Sequence, residues 1–87
     1  MGAMTARRSA EILDISGVMI PFSLILCKAA LARLAQGEIL EIRLQHDDTL
    51  KDLLIILERS GDRVLAWEQQ DPYYHIWVQK LLESRTH

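Results

Sequence analysis

Two periodicities of apolar residues take turns along the chain. Over residues 38–44, Leu40, Ile42 and Leu44 fall on one side, and Ile39, Glu41 and Arg43 fall on the other. Alternation of this kind marks a strand with one buried face. Residues 11–15 repeat it on a smaller scale, with Ile12 and Asp14 opposed to Leu13 and Ile15. Residues 63–69 and 73–81 read as two further strands. In the last, Tyr74, Ile76 and Val78 alternate with Tyr73, His75 and Trp77.

Between the strands the period lengthens to that of a helix. Leu24, Cys27, Leu31 and Leu34 recur at spacings of three and four, which makes one apolar face of a helix over 22–35. Pro21 suits the start of that helix, where a missing N–H costs nothing. Gln36-Gly37 stops it. A second helix carries Leu50, Leu53, Leu54 and Leu57 and stops at Ser60-Gly61. Thr49, with Asp52 three residues on, resembles a capping box and sets its expected start. His46-Asp47-Asp48 reads as the turn before it. The order is therefore β-α-β-α-β-β. The first βαβ unit should be parallel, and the last two strands are close enough for a hairpin. Strand two bears polar groups on one face, so helices should cover one side only. The expected fold is an α/β two-layer sandwich: a four-stranded mixed sheet with two helices on one face.

Composition narrows the classes. Eighty-seven residues, 49% of them apolar, make one domain with one modest core. Ten Lys and Arg against twelve Asp and Glu are spread along the chain with no basic block. A nucleic-acid partner is therefore not expected. The uncharged run 17–27, which ends at Lys28, is shorter than the ~20 residues a bilayer span needs. The single cysteine allows no internal disulfide and suits a reducing compartment, so a cytoplasmic setting is expected. Residues 1–10 read as a disordered or expression-derived lead. Residues 11–82 read as the domain, and 83–87 as a frayed tail.

Few residues offer chemistry. Cys27 shares a face with Leu24, Leu31 and Leu34, two turns inside the helix, which is the register of a buried and inert thiol. His46, Asp47 and Asp48 lie too close in sequence to converge on one ion, and no second histidine stands at ligand spacing, so no metal is expected. Tyr73, His75 and Trp77 share one strand face beside Arg43 and Glu41. That face is an aromatic stripe with Trp77 as a cation–π platform for Arg43. It reads as cross-strand packing or as an open-face contact. No phosphate-binding glycine loop or serine-catalysis motif occurs. The run Val18, Met19, Ile20, Pro21 and Phe22 is apolar. It either tucks into the core or forms an exposed tip for a protein partner.

One family matches these residues in order. Leu13-Asp14-Ile15-Ser16-Gly17-Val18-Met19-Ile20-Pro21 resembles the opening of the TusA/SirA/YedF family, a leucine-aspartate pair, a glycine and then a Cys-Pro-x-Pro motif at the head of the first helix. Gln36-Gly37-Glu38-Ile39-Leu40-Glu41-Ile42 resembles the family's Pro-Gly-Glu turn and second strand. His46-Asp47-Asp48 resembles its double-aspartate turn, and Ser60-Gly61 the end of its second helix. The resemblance implies proteins that carry sulfur as a persulfide on the motif cysteine. They receive it from a cysteine desulfurase or a rhodanese-like donor. A helix N-terminus favours the thiolate, which suits that role. In this sequence the family's cysteine maps to Ile20 and its second proline to Ser23. The expectation is therefore a TusA-like domain without the persulfide cysteine and with no cofactor, a non-catalytic protein-interaction module in sulfur handling. Its partner-binding residues would be Val18, Met19, Ile20, Pro21 and Phe22, and its partner a sulfur-relay protein or cysteine desulfurase. Two alternatives stand beside it: an active sulfur carrier using Cys27, and a structural or regulatory dimerising module.

Overall fold

The computed structural model describes residues 8–81. The lead up to residue 7 and the tail from 82 lie outside the described residues. Six elements follow in the expected order: β1 (Glu11–Asp14), α1 (Phe22–Arg33), β2 (Ile39–Leu44), α2 (Asp47–Arg59), β3 (Arg63–Gln70) and β4 (Tyr73–Gln79). Pairing begins ahead of β1, because the Ala10 N–H donates to the Ile39 carbonyl at 2.8 Å.

The strands form one sheet in the order β1-β2-β4-β3. β1 runs parallel to β2, with Glu11 opposite Leu40 and Asp14 opposite Arg43. β4 is antiparallel to both β2 and β3. Both helices pack on the same face. Leu40, Ile42, Leu44, Ile76 and Val78 from the sheet meet Cys27, Ala30 and Leu31 from α1 and Leu50, Leu53 and Leu57 from α2. Fully burying a leucine or isoleucine contributes ~1.5–3 kcal/mol, so this cluster is the main source of stability. The other face of the sheet carries Glu41, Arg43, Tyr73, His75 and Trp77, as the alternation requires.

The helix ends depart from the sequence reading. α1 stops at Arg33, two residues early, and Leu34 is already extended. Two contacts explain the stop. The Lys80 ammonium donates to the Leu34 carbonyl at 2.9 Å, and the Ala35 N–H donates to Glu38 Oε1 at 2.8 Å. One side chain distant in sequence and one just beyond the helix thus satisfy groups that another helical turn would have used. α2 begins at Asp47 with His46 as its N-cap, ahead of the Thr49 start. Asp47 and Asp48 are its first turn and not a separate loop, and their carboxylates suit the positive end of the helix. β3 carries a bulge between Val64 and Ala66.

Candidate functional site

The head of α1 is built from the turn that leaves β1. Asp14 Oδ1 accepts the Ser16 N–H at 2.9 Å, and the Val18 N–H donates to the Ile15 carbonyl at 3.0 Å. Between them Gly17 adopts φ 83°, a left-handed conformation that glycine reaches without strain. The hydrogen bond from the Ser16 N–H holds the Asp14 carboxyl below its usual range, and the nearby Arg43 charge adds to the effect. The chain then enters the helix. The Ser23 N–H donates to the Met19 carbonyl, and the Leu24 and Ile25 N–H groups donate to the Pro21 carbonyl.

This turn divides the apolar run. Val18 is half-buried against the core, and Ile20 is half-buried. Met19 is 68% exposed and Phe22 64% exposed, with Pro21 exposed between them. The segment is therefore an anchored tip: Val18 fixes it, and Met19, Pro21 and Phe22 face water. Ser23, one residue into the helix, is fully buried, and its hydroxyl has no hydrogen-bond partner.

Cys27 lies one turn beyond Ser23 with no exposed surface, where its register with Leu24, Leu31 and Leu34 places it. Burial pushes its thiol up to about 12. At neutral pH it is a neutral S–H among leucines. Thiolate, the form that attacks sulfur or carries it, is disfavoured there.

On the helix-free face the predicted aromatic residues do come together. His75 Nδ1 lies 2.7 Å from Glu41 Oε2, and the Ser9 hydroxyl donates to Glu41 Oε1 at 3.3 Å. His75 stacks on Trp77, with ring centroids 5.9 Å apart and planes 20° from parallel. The Arg43 guanidinium does not lie over Trp77 as the sequence suggested. It sits 4.7 Å from the centre of the Tyr73 ring and 3.6 Å from Asp14 Oδ2. Arg43 pairs with His75 across the ladder, so Tyr73 and Trp77 are its two diagonal neighbours. Asp14, across from it on β1, accompanies the choice of Tyr73. His75 and Trp77 are each 9% exposed. With Glu41 they form a packed network across β2 and β4.

The sequence reading missed one feature. A groove of about 500 Å³ runs between α2 and β3, lined by Leu54, Ile55, Glu58, Arg59, Val64 and Trp67. Trp67, 47% exposed, was its only signal in the sequence: a large aromatic on what proves to be an edge strand. Among the described residues no three His, Cys, Asp or Glu side chains gather as metal ligands. No described helix is long and apolar enough to cross a membrane.

Comparison with known proteins sets this geometry in context. The family model described as Sulfurtransferase TusA matches residues 11–80. A protein of Archaeoglobus fulgidus, described as "Putative sulfur carrier protein", is 36% identical over 59 residues, which span 68% of this chain and 67% of that protein. The crystal structure of a SirA-like protein from Desulfitobacterium hafniense superimposes with a TM-score of 0.71. It covers 83% of this chain and 99% of its own, at 20% identity, a likeness of fold.

Proposed function

Because the chain belongs to the TusA sulfurtransferase family, we propose that it is a member without the persulfide-carrying cysteine, a protein-interaction module that works in sulfur handling in the cytoplasm. The observation that carries this reading is the head of α1. Ile20-Pro21-Phe22-Ser23 stands where the resemblance sets Cys-Pro-x-Pro. A hydrocarbon at that position can neither form a persulfide nor respond to the helix dipole. The chain's one cysteine is Cys27, sealed in the core with its thiol pushed up to about 12.

What remains at the helix head is a surface. Met19, Pro21 and Phe22 present apolar area to water at the point where a carrier would offer its sulfur. Apolar side chains clustered on a surface commonly serve partner proteins. The partner class that family membership suggests is a sulfur-relay protein, with a cysteine desulfurase as the first to test. The alternative carrier reading, with sulfur on Cys27, requires the helix to open before the thiol can be reached.

The test is capture. Immobilised protein should retain a cysteine desulfurase or relay protein of the same cell, and the Met19→Ser/Phe22→Ser variant should lose it while remaining folded. Undiminished capture by that variant would remove the helix head from the interface.

A further inference from the structure

Charge is divided unevenly between the two ends of the sheet. β1 and β2 run parallel with Asp14 opposite Arg43, and β4 is antiparallel to β2 and β3 with Tyr74 opposite Leu44 and Tyr73 opposite Gln70. The last residues of β1, β2 and β3 therefore lie at one end, together with the turn into α1, the start of α2 and the β3–β4 turn. This end carries Asp14, Asp47, Asp48 and Asp71, all exposed. Arg43 is the cation among them, 3.6 Å from Asp14 Oδ2. Asp47, Asp48 and Asp71 have no ion pair or side-chain hydrogen bond among the described residues. Lys28 and Lys51 stand at least a turn inside their helices, and Asp52 adjoins Lys51. The opposite end mixes the signs: Arg59 follows Glu58, Arg63 follows Asp62, and Arg33 pairs with Glu11 at 2.6 Å. The acidic end is also the one from which Met19, Pro21 and Phe22 stand out.

We propose that the head of α1 docks on a basic surface of a partner protein, one that sets Lys or Arg side chains around an apolar centre. The inference rests on the reading of Met19, Pro21 and Phe22 as a docking tip and adds the charge of what they meet. Apolar contact supplies the centre of such an interface. Opposite charge around it steers the approach and excludes partners of the same sign. The start of α2 offsets part of the Asp47 and Asp48 charge through its own dipole. Asp71 stands on a turn between strands, where no helix start offsets it. The second apolar feature, the groove beside Trp67, lacks this polarity, because Glu58 and Arg59 contribute one charge of each sign. Charge therefore selects the kind of surface that meets the head of α1 and selects nothing at the groove.

Nuclear magnetic resonance titration of the isotope-labelled full chain with two amphipathic helical peptides tests this. One peptide is built of leucine and lysine, and the other has glutamate in place of lysine. The lysine peptide should shift the amides of Met19, Phe22, Asp47, Asp48 and Asp71. It should weaken as salt rises and bind roughly tenfold or more tighter than the glutamate peptide. Asp71→Lys should weaken it about threefold or more, whereas Glu58→Lys, the same charge change at the other end, should leave it within about twofold. Asp47→Asn with Asp48→Asn, which keeps a polar helix start, should weaken it as well. No binding, equal binding of the two peptides, shifts centred on Ile55 and Trp67, or indifference to the aspartate substitutions overturns the proposal. The Met19→Ser/Phe22→Ser variant separates the two readings. If it loses the lysine peptide while the aspartate variants keep it, the charge claim fails and the docking tip stands. If it binds as the wild type does, the docking tip fails, and the proposal with it.

Discussion

A cysteine at the positive end of a helix is favoured as a thiolate, whereas the same residue buried beyond the first turn is packing material. Cys27 occupies the second place, and its environment predicts slow chemistry. A thiol reagent should label it in the native protein only at the rate of opening, and rapidly once the chain is unfolded. Fast native labelling would contradict the packing described here. Cys27→Ser should cost ~1–3 kcal/mol in denaturant unfolding, because it buries a second hydroxyl beside the unpartnered one of Ser23. Asp14 supplies a pH signature. Its folded pKa is depressed, so its contribution to stability is complete above the unfolded carboxylate value of about 3.9 and is lost as pH falls through the lower folded value. Asp14→Asn should therefore lower stability near neutrality, where the contribution is complete, and leave it unchanged at the acid end, so that the acid limb flattens. The effect should be small, because the group is exposed and its partners are screened. At this scale the sequence revealed the burial of Cys27 through its spacing. It could not reveal that Arg43 would choose Tyr73 over Trp77. The two rings are equivalent by period, and only the position of Asp14 on the next strand distinguishes them.

At the scale of elements the two helices obey different rules. α2 is an ordinary amphipathic helix with Leu50, Leu53 and Leu57 inside. Leu53→Ala should cost ~2–5 kcal/mol. The first turns of α1 are apolar on both sides: Ser23 and Cys27 are buried, and Phe22, Ile25 and Leu26 face out, with Lys28 and Arg33 as the exposed charges further on. Apolar side chains clustered on a surface commonly serve partner proteins. Phe22→Ser should accordingly change stability by less than ~0.5 kcal/mol while weakening partner capture. A large loss of stability would mean that Phe22 is structural. Element order was legible because the period switches cleanly between two and three to four. Helix ends were not, because the Lys80 ammonium, from just past the end of β4, binds the Leu34 carbonyl, an approach no local pattern announces.

The whole molecule has the two-layer architecture shared with a SirA-like protein, with Ile20 and Pro21 at the head of α1. Family membership and the two-layer sandwich both follow from patterns spread over the chain, and both were readable in the sequence. The groove between α2 and the edge strand β3 was not, since it exists only once Trp67 and Ile55 are brought together. On the proposed reading, a family member with Ile20 at the head of α1 and its one cysteine in the core is specialised for contact.

The most direct measurement of that account is the intact mass of the protein after incubation with a cysteine desulfurase and cysteine. Three forms should be run together: wild type, Cys27→Ala and Ile20→Cys. The account predicts no added sulfur on the wild type or on Cys27→Ala, and a sulfur adduct on Ile20→Cys, where a thiol returns to the head of α1. A sulfur adduct on the wild type that disappears in Cys27→Ala would contradict it, and would show that the buried thiol is reached and carries sulfur.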